Sequence, residues 1–139
     1  MSDINEQSIV ECLTGAANYL ADNGRAHIVI ERAGFSFYVQ GVNEDQTAKC
    51  RRLATKNRGR RDEEVDWSRY AAQLIYEATV PDDKKRLWDN KAVWDKLNCV
   101  TGSDVIFKCL TPAERAKIVT AIENLSGYDD TDLDGIIKN

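Results

Sequence analysis

In 27-HIVIERAGFSFYVQGV-42, two short alternating runs, His27 to Arg32 and Phe35 to Val42, flank Ala33-Gly34. Ile28 and Ile30 share one face of the first run; Phe35, Phe37 and Val39 share one face of the second. Period-two alternation enriched in β-branched and aromatic residues predicts a β-hairpin. Ala-Gly is a weaker turn signal than Asn-Gly, so the turn type stays open.

Helical signals lie on both sides. Upstream, Ile9, Cys12, Leu13, Ala16 and Leu20 form an apolar stripe within a helix predicted over Ser8 to Asp22, with Asn23-Gly24 as its stop. Downstream, Asn43 is a helix cap with Gln46 three residues on, opening a helix to Asn57. A charged linker, Arg58 to Glu64, carries Gly59. After Asp66, residues Trp67, Tyr70, Ala71, Leu74, Ile75 and Ala78 recur at helical spacing until Pro81.

Trp88, Val93, Trp94 and Leu97 fall on a short helical piece. A turn from Asn98 to Ser103 and further helical turns from Asp104 to Leu110 come next. Thr111-Pro112-Ala113-Glu114 is the sharpest boundary: a Thr cap, Pro at the first helical position and Glu closing a capping box. The helix it opens should bury Ile118, Val119, Ile122 and Leu125 and end at Gly127. The expected fold is α+β, a single domain over 1–139. Residues 8–42 supply helix and hairpin, 43–127 a helical part and 128–139 an acidic tail.

A length of 139 residues suits one domain, and 42% hydrophobic with 30% charged residues is ordinary for a soluble globular chain. No run approaches the ~18–20 apolar residues of a membrane span, and the acidic start lacks signal-peptide character. No membrane partner is expected. Cys12, Cys50, Cys99 and Cys109 are scattered without a C-x-x-C pair, which predicts free, mostly buried thiols and no zinc site.

Catalytic motifs are missing: there is no G-x-S-x-G, no phosphate-binding glycine loop and no H-E-x-x-H. His27, alone in a strand, has no paired nucleophile, so neither an enzyme nor a cofactor is expected. Asp130, Asp132, Asp134 and Gly135 imitate the front of a calcium loop. The bidentate Glu of its twelfth position would fall beyond Asn139, so a solvated tail and no metal are expected.

The basic cluster Lys49, Arg51, Arg52, Lys56, Arg58, Arg60 and Arg61 could neutralise phosphates. Stacking aromatics are absent between the cations, Asp62-Glu63-Glu64 can screen them, and the net charge of -4 argues against nucleic acid. Arg51, Arg52, Arg60 and Arg61 therefore read as an electrostatic contact for a protein. Trp67 belongs on a clean core stripe. Trp88 and Trp94, six apart on a charged segment, do not share a helical face well, and with Phe107 and Leu110 they are the expected partner-binding residues.

The order of these features resembles the XkdN-like phage tail assembly chaperones. The likeness runs from about Phe35 to Asn139, and the N-terminal helix fits it poorly. It rests on Phe35-Ser36-Phe37-Tyr38-Val39, Asn43-Glu44-Asp45, Arg51-Arg52-Leu53-Ala54-Thr55-Lys56 and a helix Tyr70 to Thr79 before Val80-Pro81. Leu110-Thr111-Pro112-Ala113-Glu114, Ile122-Glu123-Asn124-Leu125-Ser126-Gly127-Tyr128-Asp129 and Lys138-Asn139 complete it. The family usually has a carboxylate-rich linker and Gly-Glu-Tyr where this chain has Thr-Pro-Ala-Glu, a departure that leaves the helix start intact.

The resemblance implies a phage or prophage protein of the host cytoplasm. It would keep the tape measure protein soluble until the tail tube protein arrives, with self-association and a frameshifted longer form as further implications. Two other classes stand beside it: a small nucleic-acid-binding protein using 49–61, and a structural component of the tail.

Overall fold

In the computed structural model, residues 9–14 and 24–127 are described. Residues 9–14 are helical (α1). Ile9, Cys12 and Leu13, three members of the predicted stripe, are exposed there, so this part of the stripe is not core; Ala16 and Leu20 lie outside the described residues.

The hairpin forms as the alternation requires. β1 (Arg25–Ile30) pairs antiparallel with β2 (Phe35–Gln40), and Ile28 faces Phe37 while Ile30 faces Phe35. Gly34 closes the turn at φ +72°, a backbone region that a Cβ disfavours, and its N–H donates to Ile30 O at 2.9 Å. The inward side chains of the hairpin lie on the helices, with Phe37, Val39 and Ile30 buried.

α2 (Glu44–Leu53) starts at the predicted capping box of Asn43 and Gln46, and stops short of Asn57. Beyond it the charged linker is not simple coil. Thr55–Lys56 (β3) pairs antiparallel with Glu64–Val65 (β4), a short ladder that carries Arg58, Arg60 and Arg61 in its loop. Asp66 then caps α3 (Trp67–Ala78) by accepting from the N–H groups of Ser68 and Arg69.

α3 is the central helix. It packs on α2, on α6 (Gly102–Cys109) and on α7 (Pro112–Leu125), burying Ala72, Leu74, Ile75 and Ala78. Trp67, expected in its core stripe, is 60% exposed and stands edge-on to Tyr70. It is the first residue of α3.

α3 ends at Ala78, with Thr79 and Val80 extended ahead of Pro81 as the sequence predicts. Pro81 opens α4 (Pro81–Asp83), which continues as a π-helical turn over Lys84–Trp88. The extra residue in that turn is marked by the bond from Asp89 N–H to Lys84 O at 2.7 Å. It rolls Trp88 inward to 2% exposure, against the edges of Phe35 and Phe37. The Trp88 Nε1–H donates to Thr79 Oγ1 at 2.9 Å, so the buried indole is satisfied.

α5 (Lys91–Leu97) is capped by Asn90 and ends at Asn98 in the left-handed conformation. α7 starts at the Thr111–Glu114 capping box as read, with Pro112 in its first turn. Ile118 and Ile122 are buried, while Val119 and Leu125 are partly buried. Arg32 fastens the hairpin turn to this helix start. Its Nε and Nη2 reach the two oxygens of Glu114 at 2.8 and 2.6 Å, and Nη2 also donates to Cys109 O.

Candidate functional site

The four apolar residues expected to bind a partner are not on one surface. Trp88 and Leu110 are core residues, the latter 3% exposed, and cannot meet a partner in this conformation. Phe107 is half-buried, and its ring carries two guanidinium groups: Arg69 at 4.3 Å and Arg115 at 4.8 Å from the centroid. Arg115 is itself buried and donates to Phe107 O at 3.0 Å and Leu110 O at 2.6 Å, a cation closing the end of α6. The aromatic surface of Phe107 is thereby occupied.

Trp94 is different. It is half-buried, held by its Nε1–H on Trp88 O at 2.6 Å, and lines a cleft of about 370 Å³ between α3, the end of α2 and the α5–α6 connection. Two residues that sequence reasoning passed over share this cleft: Leu53, 55% exposed at the last position of α2, and Val100, 77% exposed in the connection. Each had a weak signal. Leu53 ends a run of polar residues, and Val100 is a lone β-branched residue in a turn.

The floor of the cleft is built tightly. A Cβ on Gly102 would lie 2.4 Å from Tyr76 Cε2 and 2.8 Å from Asp89 Oδ1, so only glycine lets α6 begin on the Tyr76 ring. The Tyr76 hydroxyl donates to Asp89 at 2.8 Å. Burial first, and that carboxylate second, push its pKa up to about 12. Gln73 Nε2–H donates to Ser103 Oγ at 3.0 Å, and beyond it Arg69 pairs with Asp104 at 2.9 Å. The result is an apolar trough with polar ends.

The basic cluster divides in two. Lys49 pairs with Glu77 at 3.4 Å and Lys56 with Asp66 at 3.3 Å. Arg51, Arg52, Arg58, Arg60 and Arg61 are exposed and make no ion pair among the described residues. The carboxylates of Asp62, Glu63 and Glu64 form no ion pair with them among the described residues, although Glu63 N–H donates to Arg60 O at 3.2 Å. Asp62 instead accepts from Asn57 Nδ2–H at 3.0 Å, inside the β3–β4 loop.

The groups suited to chemistry have structural partners. His27 stacks on Tyr38 with centroids 4.4 Å apart. Cys50 and Cys99 are buried, Cys109 half-buried and Cys12 exposed. Burial pushes the Cys50 thiol up to about 11, which keeps it protonated at neutral pH. Among the described residues no cluster of His, Cys, Asp or Glu could hold a metal ion; the Asp130–Asp134 run and Tyr128 lie outside them. No described helix is long and apolar enough to cross a membrane.

A model of the phage XkdN-like tail assembly chaperone family matches residues 17–138. The chain belongs to this family. The match starts well before Phe35 and takes in β1, so the family likeness reaches further toward the N-terminus than the motifs read from sequence. Neither a curated protein nor a solved structure matches. A tail assembly chaperone implies protein partners in the phage tail, a role that is not enzymatic.

Proposed function

We propose that this tail assembly chaperone binds the tape measure protein in the host cytoplasm and keeps it soluble until tail tube subunits displace it. The contact is made by the Leu53–Trp94–Val100 cleft. The observation that carries this reading is the exposure of two large apolar side chains, Leu53 and Val100, around half-buried Trp94 in one cleft. A long helix with an apolar stripe is an association hazard until covered, and such a stripe can lie in an apolar trough by helix-in-groove docking.

Burying a Leu or Val side chain is worth roughly 1.5–3 kcal/mol, so two such anchors beside Trp94 give a contact that holds and still releases. Exposed Arg51 and Arg52, near the end of the same helix as Leu53, add charge that can meet acidic residues flanking the stripe. Arg60 and Arg61, on the β3–β4 loop, extend that basic rim.

Co-expression with the tape measure protein tests the proposal. Wild type should raise the soluble fraction of that partner, and Leu53→Asp with Val100→Asp should remove the gain while the domain melts as before. A double variant that protects as well as wild type sinks the cleft. Loss only on reversing Arg51, Arg52, Arg60 and Arg61 would make the contact electrostatic.

A further inference from the structure

The two edges of the hairpin are treated differently. On β2, Tyr38 O accepts from Val80 N–H at 3.0 Å, Tyr38 N–H donates to Asp83 Oδ2 at 2.8 Å, and Ser36 O accepts from Arg86 Nη2 at 2.8 Å. Those groups point away from β1, which makes Tyr38 and Ser36 the positions of the ladder that do not bond across the hairpin. Their partners, His27 and Val29, must likewise turn their N–H and C=O groups away from β2. Among the described residues nothing meets them.

Exposed strand edges are ordinarily blunted by proline, lysine, a bulge or an inward charge. β1 has none of these: its sequence is Arg-Ala-His-Ile-Val-Ile, its inward residues are all apolar, and its register with β2 is unbroken. Val29 is 54% exposed on the outer face. Beside the edge an open cleft of about 460 Å³ is lined by residues 27–32 and by Glu114, Lys117 and Ile118 of α7, and the Arg32–Glu114 pair spans it at the turn.

We propose that the occupant is a second copy of this chain, joined β1 to β1 in an antiparallel, two-fold arrangement. The choice of occupant rests on charge. With the axis at Ile28, His27 faces the partner's Val29, and Arg25, the first residue of β1, comes beside the partner's Glu31, the first turn residue after β1, and the reverse. Shifting the axis to His27 or Val29 loses the Arg–Glu pairs. One register therefore satisfies the free backbone groups and both charges, and it makes a four-stranded sheet from two hairpins. This inference does not depend on the tape measure contact, which lies on a different surface.

Sedimentation of the purified full chain is the test, at concentrations on the order of 100 µM. Wild type should dimerise. Arg25→Glu alone and Glu31→Arg alone each set like charges opposite one another twice, and should weaken the dimer roughly tenfold. An equimolar mixture of the two variants restores opposite charges at both contacts and should recover the dimer as a mixed pair, which also shows that both variants are folded. Val29→Pro removes an outward N–H without touching a bond to β2 and should abolish pairing. A monomeric wild type, a dimer indifferent to the single reversals, or a mixture that stays dissociated overturns the proposal.

Discussion

Trp88→Ala separates core from contact surface most sharply. The side chain is 2% exposed, packs on Phe35 and Phe37 at centroid distances of 6.1 and 5.2 Å, and donates to Thr79 Oγ1. Truncating a buried Trp costs ~3–5 kcal/mol through lost burial and the cavity left behind. The lost edge-to-face contacts are part of that figure. The Thr79 hydroxyl keeps its bond to Ile75 O at 2.6 Å, so no buried donor is orphaned. Against a typical total stability of ~5–15 kcal/mol, this removes a large share and should lower Tm by roughly 10–20 °C. Urea unfolding followed by far-UV circular dichroism is the suitable assay, because Trp67 and Trp94 still dominate fluorescence. Trp88→Phe should retain much of the packing and lose less. A Trp88→Ala midpoint within about 1 kcal/mol of wild type would refute the placement of this residue in the core.

Four further outcomes follow from the same geometry. Thr111→Ala should cost on the order of 1 kcal/mol through the lost capping box, measured by thermal melting. Gly102→Ala should destabilise by ~1–3 kcal/mol, since its Cβ meets the Tyr76 ring, and should also deform the cleft. Glu114 is held down to about 2, first by the Arg32 hydrogen bond and then by the Thr111 N–H. A depressed carboxylate stabilises above its unfolded pKa of ~4.3 and loses that contribution as pH falls through its folded value. Tm should therefore drop between about pH 5 and pH 2, and Arg32→Met should flatten that drop. Melts with calcium or with a chelator should coincide; a rise of several degrees with calcium would revive the acidic loop as a metal site.

The hairpin and the Asn43 and Thr111 caps were legible because each is a local pattern: alternation, or a cap residue just ahead of a helical run. What escaped depends on partners distant in sequence. Trp88 looked available because charged residues surround it, yet the π-helical turn offsets the helix face and carries it under the hairpin. Trp67 looked buried because it keeps helical spacing, but spacing alone does not reveal which positions of a first turn are covered, and this one is exposed. The β3–β4 ladder is too short for alternation to mark. The burial of Arg115 had no sequence signal, because it depends on the carbonyls of Phe107 and Leu110. Of the expected contact residues, Trp94 alone lines the cleft, in company with Leu53 and Val100, whose exposure no periodicity could show.

Amide hydrogen exchange, on the chaperone alone and in complex with the tape measure protein, tests the central claim most directly. The account predicts new protection at the end of α2 around Leu53 and across residues 94–101, with the core of α3 unchanged. Protection confined to other surfaces, or none at a concentration that keeps the partner soluble, would contradict it.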